Sequence, residues 1–363
     1  MIDWNRWLDA SKKSGCPDVS SFRPMCETKQ FPIAARLVRF AGAVILIMST
    51  PSAGAAAPGG PLETNASRGV TTRDPSTIVR DGANYWVFFT GRGVPSIHSK
   101  DLVIWERGPA VFKEPPAWIA SAVPKNKGVY WAPDVMKVHG RFLLYYSVSS
   151  FGKMDSAIGL VTNPTLDPDD PDFKWTDQGE VVRSQEGGDF NTIDPAVFQD
   201  DDGRLWLAFG SQWSGLKLVE LDPQTGKRLN DDPMVTLAAG VPIEAAYLHK
   251  RNGKYYLFVN RGDCCRGDQS TYHIQVGRSE KIEGPYLARD GTKLLDGGGT
   301  LILDMKIGPL TGPGHAGIVE KDGKSWFSCH FEADDRMGGK ATLGIMPIRW
   351  SEDGWPEVLP PEG

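Results

Sequence analysis

The chain of 363 residues lacks an excess of basic residues, since Lys and Arg number 40 against 45 Asp and Glu, and the formal net charge is −5. Nucleic-acid binding requires a basic surface that neutralises phosphates, so we expect no nucleic-acid partner. Helical periodicity is also lacking beyond a turn or two. Hydrophobic residues make up 40% of the chain, which is ample for a large core in one or two domains.

Cysteine is scarce, with five in the chain and three of them after residue 57. These three are Cys264, Cys265 and Cys329. An odd number that includes an adjacent pair is not the pattern of a disulfide framework. Two alternatives remain open for the pair: a strained bridge between Cys264 and Cys265, or two free thiols.

Residues 1–57 are predicted to be an N-terminal extension with a secretory signal segment. Three basic residues precede an apolar run at 40–48, and small residues follow the run. The run is too short to span a bilayer comfortably, so we expect cleavage near Ala55 or Ala57 and a secreted or periplasmic protein without a membrane span. The alternative is a buried strand or helix. Residues before Met25 are unusual for an export signal, and the true start is left open.

Residues 58–363 are predicted to be one all-β domain, a five-bladed β-propeller. A hairpin with a turn glycine followed by an aromatic-rich strand occurs five times, at Gly82, Gly140, Gly203, Gly253 and Gly323. Five units of roughly 50–70 residues predict a radial architecture. The apolar second strands are continuous, which indicates burial on both faces, as in stacked blades. A β-sandwich is the alternative, but it does not predict five similar units.

Four of the five units have an ionisable residue eight or nine residues before the turn glycine: Asp74, Asp194, Glu244 and His315. The second unit has Ala132 there. Equivalent positions in a propeller converge on one face of the central channel, so these side chains are predicted to form a ring. Crowded carboxylates separate their pKa values, and hydrolysis of an acetal requires one protonated acid and one ionised base. Acyl transfer is not expected, because there is no G-x-S-x-G motif and no Ser or Cys in the ring.

Two of these signals have a plainer interpretation. An Asp-Pro pair taken alone is turn chemistry, and only the repetition argues for a site. Residues 200–203 resemble part of a calcium loop but lack the later glutamate, so a hairpin turn is expected there.

An ordered series of segments resembles glycoside hydrolase family 43, and its combination is similar to the arabinan-degrading branch, the endo-α-1,5-L-arabinanases. The resemblance extends from Asp74 to about His330. The segments are 73–76, 130–134, 145–152, 191–195, 209–215, 243–245, 264–267, 276–279, 297–300 and 312–315.

The resemblance implies an inverting hydrolase of α-1,5-linked L-arabinofuranosyl chains, with plant cell-wall arabinan or its oligosaccharides as substrate and residues 58–363 as the catalytic domain. Asp74 is then the general base that activates water, and Glu244 is the general acid that protonates the departing oxygen. Asp194 is then the group that tunes the pKa of the acid and orients it. Inversion implies a base–acid separation of roughly 6.5–9.5 Å.

The resemblance also implies a bound ion, usually calcium, beside His315 in the channel, with waters supplying most of its ligands. Each implied substrate contact has packing as its alternative. These contacts are Trp131, Gly152, Asn191, Ile193, Ser211, Gln212 and Trp213.

Two departures from the family pattern lie close to the predicted site. Many relatives have histidine where this chain has Arg73, which we expect to point away from Asp74 and to affect it little. Ala246-Tyr247 replaces a Pro-Phe or Pro-Tyr pair, which would alter the leaving-group side of the cleft.

Other functions remain as alternatives. The nearest is an exo-acting arabinanase, or an arabinofuranosidase or β-xylosidase of the same family. Residues 91–93 and 115–127 could wall the pit and so decide between endo and exo action. A non-catalytic carbohydrate-binding propeller would not need three carboxylates, and the blades lack the repeated motifs of protein–protein scaffolds. Oligomeric state is left open.

Overall fold

The computed structural model of the chain describes residues 71–359, which form strands and turns almost throughout. Within this range the only α-helix is the four-residue α1 (Ile119–Ala122), and none of the helices described is long and apolar enough to cross a membrane. Short 3-10 turns occur at Gly267–Gln269, Leu294–Asp296 and Asp335–Met337. The predicted signal segment, residues 1–57, and the domain boundary at residue 58 lie outside the described residues.

The described strands form five antiparallel sheets, and each sheet is one blade of a five-bladed β-propeller, as the sequence predicts. Blade I contains β1 (Val79–Asp81), β2 (Asn84–Phe88), β4 (Ser96–Ser99) and β5 (Glu106–Arg107). Blade II contains β3 (Gly91–Arg92), β6 (Val129–Val138), β7 (Arg141–Val148), β8 (Ser156–Asn163) and β9 (Thr176–Ser184). Blade III contains β10 (Ala196–Gln199), β11 (Leu205–Phe209), β12 (Leu216–Leu221) and β13 (Val235–Ala238). Blade IV contains β14 (Ile243–Arg251), β15 (Lys254–Arg261), β16 (His273–Ser279) and β17 (Thr300–Leu303). Blade V contains β18 (Lys306–Ile307), β19 (Leu310–Lys321), β20 (Lys324–Asp334), β21 (Lys340–Trp350) and β22 (Pro356–Val358).

Two-residue turns join the first hairpin in four of the blades, and at least one residue of each turn adopts positive φ. Asn252 and Gly253, at φ 50° and 74°, link Arg251 to its cross-strand partner Lys254. Asparagine and glycine tolerate this conformation best, which explains their place in hairpin turns. The turn of blade III is longer, with Gln199 paired to Leu205. Residues 200–203 therefore lie in a hairpin turn, as expected.

The core consists of five apolar clusters, each made by the facing surfaces of two neighbouring blades. Strand β7 contributes to two of them: Leu144 packs towards blade I and Leu143 towards blade III, and both are fully buried. This two-sided burial explains why the second strands are continuously apolar in sequence.

Asp134 joins three blades at the hub. Its Oδ1 accepts the Thr77 N–H of blade I at 2.9 Å, and its Oδ2 accepts the Val197 N–H of blade III at 2.8 Å. Burial raises the pKa of Asp134 from 3.8 to about 6. These bonds fix the inner ends of three blades, from which the site residues project.

The seam between blades V and I closes the ring without an exchanged strand in the described part of the chain. Apolar residues such as Tyr85 and Leu343 pack across it. The N–H of Asp74 donates to Nδ1 of His330 at 3.1 Å across the same seam. Side chains and backbone groups of both blades therefore hold the ring closed.

Candidate active site

A left-handed residue lies in the innermost strand of blades II, IV and V and shortly before that strand in blades I and III. These residues are Asp74, Ala132, Asp194, Ala245 and His315, with φ between 37° and 57°. In blades II, IV and V the pairing register also shifts at this point, which identifies a β-bulge. Non-glycine residues rarely adopt such φ values, and clusters of them are typical of functional sites. We call these five the ring positions.

Glu244 is not at a ring position, so the prediction that it is equivalent to Asp74, Asp194 and His315 is wrong. Ala245 has the positive φ and lies eight residues before its turn glycine, as Asp74 does. The spacing of nine that aligned Glu244 with Asp194 arises from the longer turn of blade III. Glu244 instead directly precedes the ring position.

The residues that precede the ring positions form a second set: Arg73, Trp131, Ile193, Glu244 and Gly314. Gly314 must lack a side chain, since a Cβ there would lie 2.8 Å from the Tyr272 ring and 2.9 Å from the His330 ring. These two rings contact Glu244 and Asp74, respectively. A glycine at position 314 therefore makes room for two supports of the site.

Asp74 is held by hydrogen bonds at its backbone and its side chain. In addition to the Asp74 N–H bond to His330, the hydroxyl of Thr90 donates to Oδ2 at 2.6 Å. The same hydroxyl accepts the N–H of Ala132 at 2.8 Å, which links the ring positions of blades I and II. Nε2 of His315 lies 3.4 Å from Asp74 Oδ1. The carboxylate is thus fixed in direction while 19% of its side chain remains exposed.

The pKa of Asp74 is lowered from 3.8 to about 2, although burial by itself raises it. The groups that lower it are His315, His330, Arg73 and the Thr90 hydroxyl. Burial lowers the pKa of His330 to about 3 and also lowers that of His315. Both imidazoles are therefore neutral at neutral pH, where Arg73 remains a positive charge near the ionised Asp74.

The expectation that Arg73 would affect Asp74 little is wrong. Its guanidinium pairs with the fully buried side chain of Glu332 at 3.3 Å and lies 3.6 Å from the Cys265 sulfur. From this position its charge still lowers the pKa of Asp74. The pairing with Glu332 therefore holds the guanidinium in a position from which its charge still acts on Asp74.

Asp194 and Glu244 lie together on the other side of the pit. The N–H of Asp194 donates to the Ser147 hydroxyl at 2.9 Å, and the carboxyl is buried. Burial and the charges of Glu244 and Asp74 raise the pKa of Asp194 well above 3.8. Three acidic side chains from distant parts of the chain thus interact around one pit, as predicted, and a proton resides most readily on the Asp194 side.

Hydroxyl groups engage both oxygens of Glu244. Ser211 donates to Oε2 at 2.5 Å, and the buried Tyr272 donates to Oε1. Ser211 is brought here because it forms an isolated antiparallel bridge with Glu244. These contacts orient the carboxyl group towards the pit.

The other predicted substrate contacts differ in their exposure to solvent. Trp213 is 42% exposed in a tight loop where Gln212 and Trp213 both have positive φ, and the Gln212 N–H donates to the Ile243 carbonyl at 2.7 Å. Trp131 is partly buried beside Ala132, and Gly152 is exposed. Their contact with substrate remains a prediction.

Asn191 and Ile193 are both buried. Oδ1 of Asn191 accepts a hydrogen bond from Ser156 at 2.8 Å, and the carbonyl of Ile193 accepts the Gly210 N–H at 2.8 Å. Asn191 therefore has a structural partner, and contact with a sugar remains a prediction for both residues.

His315 lines a cavity of about 20 Å³ in the hub, together with Asp134 and Tyr247. This volume corresponds to about one water-sized particle. A second group of candidate metal ligands, Cys264, Cys265 and Glu332, places its ligand atoms within 4.8 Å of one another. Glu332 is already occupied by Arg73 and by three backbone N–H groups at 2.5–3.2 Å, so it anchors residues 265–267 instead.

Cys264 and Cys265 are free thiols in this structure, as is the buried Cys329. Of the two alternatives for the adjacent pair, the structure contains the thiols.

Sequence reasoning missed four supports of the site: Thr90, Ser147, Tyr272 and His330. Each lies outside the innermost strands, so the repeat that revealed the ring positions does not include them. His330 had one usable signal, since it lies opposite the small residue Gly314 in the hairpin register.

Comparison with known proteins identifies the class to which this fold and site belong. The sequence profile of glycosyl hydrolases family 43 matches residues 68–356. The chain belongs to this family and is a glycoside hydrolase.

Individual relatives are similar over most of their length. The extracellular exo-α-(1→5)-L-arabinofuranosidase of Cellvibrio japonicus is 39% identical over 307 residues, which cover 80% of this chain and 86% of that protein. The extracellular endo-α-(1→5)-L-arabinanase 1 of Bacillus subtilis is 40% identical over 291 residues, covering 78% and 86%. The α-L-arabinanase of Cellvibrio cellulosa, solved with arabinohexaose, superposes with a TM-score of 0.76 at 36% identity and covers 80% of this chain and 96% of that one.

Proposed function

We propose that this chain is an exported, inverting hydrolase of α-1,5-L-arabinofuranosyl linkages in arabinan and its oligosaccharides. The observation that carries the proposal is the meeting of three carboxyl groups in one pit in different surroundings. The pKa of Asp74 is lowered to about 2, whereas Glu244 accepts hydrogen bonds from the Ser211 and Tyr272 hydroxyls and lies beside the buried Asp194. An acetal hydrolase needs an ionised base and a separate acid, and the two sides of the pit offer a carboxyl group for each. Relatives named for α-1,5-arabinan hydrolysis support the substrate, and those named extracellular support export.

In this mechanism the Asp74 carboxylate accepts a proton from a water molecule as the water oxygen attacks the anomeric carbon. Glu244 donates its proton to the glycosidic oxygen as the bond between that oxygen and the anomeric carbon breaks. One bond forms as one breaks on the opposite face, so the anomeric configuration inverts. Asp194 interacts electrostatically with Glu244 and does not touch the reacting atoms.

Substitution of the two reacting groups tests the roles. Asp74→Asn and Glu244→Gln are each expected to lower kcat on linear arabinan by at least ~10²-fold, the scale of general acid–base catalysis. Asp322→Asn is the matched control, because it makes the same carboxylate-to-amide change in an exposed turn of blade V. Near-normal turnover by either site variant would refute the assigned roles.

An exo-acting enzyme of the same specificity is the second candidate, since one relative is named as exo-acting and another, at similar identity, as endo-acting. Product analysis on linear arabinan distinguishes them. Internal cleavage lowers viscosity before monomer accumulates, whereas exo action releases small products while viscosity remains high.

We also propose that the hub cavity beside His315 holds a calcium ion. Calcium takes 6–8 oxygen ligands, and the cavity wall offers the Asp134 carboxylate and the neutral His315 imidazole. The cavity has room for the ion itself, so the waters that complete its ligands would lie outside the cavity. Such an ion would supply a fixed positive charge near Asp74.

Elemental analysis and thermal unfolding with EDTA test this proposal. The expected results are one calcium per chain and a lower Tm after chelation that added calcium restores. A metal-free enzyme whose Tm is indifferent to EDTA would contradict the proposal.

A further inference from the structure

The N–H groups of four ring positions are hydrogen-bonded to side chains of a neighbouring blade. The pairs, given as ring position and acceptor, are Ala132 and Thr90 at 2.8 Å, Asp194 and Ser147 at 2.9 Å, His315 and Asn260 at 3.1 Å, and Asp74 and His330 at 3.1 Å. A bulge leaves one residue of its strand unpaired, and a buried N–H then needs an acceptor outside the strand ladder. The four side chains supply that acceptor.

These four acceptors occupy equivalent places in their blades, at the end of the second strand. Three of them lie opposite the residue that precedes a ring position, in the pairs Ser147 with Trp131, Asn260 with Glu244 and His330 with Gly314. Thr90 follows β2 and takes the same place in blade I, because its N–H donates to the Arg73 carbonyl at 3.0 Å. We call the four side chains the clamp residues.

Blade III has a glycine where the other blades have a clamp residue. The N–H of Gly210 donates to the Ile193 carbonyl at 2.8 Å, as that of Thr90 does in blade I, and a Cβ on Gly210 would lie 2.8 Å from the Gly215 carbonyl oxygen. The Asp194 carboxyl accepts the N–H of Ala245 instead. A side chain therefore holds the N–H of all five ring positions.

Thr90 differs from the other clamp residues because its single hydroxyl also contacts a carboxylate of the pit. The hydroxyl accepts the Ala132 N–H at 2.8 Å and donates to Asp74 Oδ2 at 2.6 Å. An N–H can only donate and an ionised carboxylate can only accept, so the direction of both hydrogen bonds is fixed. Asp74 of blade I is thereby tied to the backbone of blade II.

The remaining side-chain contacts of the Asp74 carboxylate are longer. Nε2 of His315 and Nδ1 of His330 lie 3.4 Å and 3.7 Å from Oδ1. A hydrogen bond to an ionised acceptor is short and roughly twice as strong as one between neutral groups. Thr90 therefore makes the contact that constrains the direction of the carboxylate most.

We propose that Thr90 is a positioning residue of the hydrolysis, which aims the Asp74 carboxylate by tying it to the backbone of Ala132. The inference rests on the proposed function, because it takes Asp74 as the base. The base must hold a water molecule in line with the anomeric carbon, and a misplacement of about 1 Å can lower the rate by ~10²-fold. Thr90 acts through Asp74 and does not touch the reacting atoms.

Two substitutions of Thr90 test the inference on linear arabinan. Valine has nearly the shape of threonine without the hydroxyl, whereas serine keeps the hydroxyl. We expect Thr90→Val to lower kcat by about 10- to 100-fold with little change in KM, and Thr90→Ser to retain most of the activity. Thr90→Ala also removes the hydroxyl, without placing a methyl group beside the two polar partners, and is expected to repeat the loss if the valine prevents folding.

Thr162→Val is the matched control. Thr162 is buried in β8 of blade II, and its hydroxyl accepts a hydrogen bond from Gln178 at 3.1 Å, away from the pit. The same hydroxyl is lost there, so Tm is expected to fall as it does in Thr90→Val, whereas kcat and KM are expected to stay unchanged.

A double variant separates positioning from general damage to the fold. If Thr90 acts through the carboxylate, Thr90→Val in the Asp74→Asn background lowers kcat no further than Asp74→Asn alone. Losses that multiply would overturn the inference, and so would a normal kcat for folded Thr90→Val or an equal loss for Thr90→Ser. Failure of the proposed function is distinguishable, since Asp74→Asn by itself would then turn over normally.

Discussion

Asp74 and Asp194, on the two sides of the pit, share a backbone conformation, but their pKa values are shifted in opposite directions. Asp74 and Asp194 both precede proline and both have positive φ, at 47° and 57°. Arg73 and two neutral imidazoles surround Asp74, and its pKa is lowered, whereas Glu244 adjoins Asp194, whose pKa is raised. The comparison teaches that the groups around each carboxyl, and not the ring position itself, decide which carboxyl group is ionised.

The strongest test of the difference between the two sides is a change in the leaving group of the substrate. Glu244→Gln is expected to recover most of its ~10²-fold loss on an aryl arabinofuranoside with a nitrophenol leaving group, because that leaving group departs without a proton. Asp74→Asn is expected to stay impaired on both substrates, since each requires an activated water. Steady-state kcat/KM values on the aryl glycoside and on arabinan measure the difference. Equal behaviour of the two variants would remove the distinction between the two sides.

A second prediction concerns the pH dependence on the acid side. Burial and the charges of Glu244 and Asp74 raise the pKa of Asp194, so its ionisation is displaced to higher pH. Asp194→Asn removes this ionisation and leaves a neutral side chain at every pH. The limb of the kcat profile that reports the ionisation of Asp194 is therefore expected to shift, whereas the limb set by Asp74, whose pKa is lowered, is expected to move less. A profile that only falls in height would argue for a purely structural Asp194.

A third and smaller effect is expected on the free energy of unfolding when the Arg73–Glu332 pair beside Asp74 is removed. Arg73→Met leaves the buried Glu332 with its three backbone donors but without its cation, and we expect the free energy of unfolding to fall by about 1–3 kcal/mol. Arg349→Met is the control, because its pair with Glu357 is exposed and should matter by less than about 0.5 kcal/mol. Urea unfolding of both variants measures the difference, and equal losses would contradict it.

The sequence predicted the propeller because one hairpin pattern repeats in every blade. Turn glycines such as Gly253 and the apolar runs that follow them are local signals, and they survive folding unchanged. The same repetition identified Asp74, Asp194 and His315, whose ring positions the structure confirms.

What the sequence did not predict depends on lateral contacts between strands. Glu244 was placed one residue away from its true equivalent. The longer turn of blade III adds one residue between Asp194 and its turn glycine, and the resulting spacing of nine matched Glu244 by coincidence. Tyr272 and His330 contact Glu244 and Asp74 from other strands, and no spacing along the chain encodes which strand ends lie side by side. The charge of Arg73 was undervalued for the same reason, since its partner Glu332 is 259 residues away.

The seam between blades V and I runs through the catalytic pit. Asp74 belongs to the first blade, and its partners His315 and His330 belong to the last. The contacts of the proposed base therefore also help to close the ring of blades. Opening at this junction would separate Asp74 from both imidazoles. Loss of turnover would then report ring opening, because the proposed chemistry and the closure of the propeller depend on the same contacts.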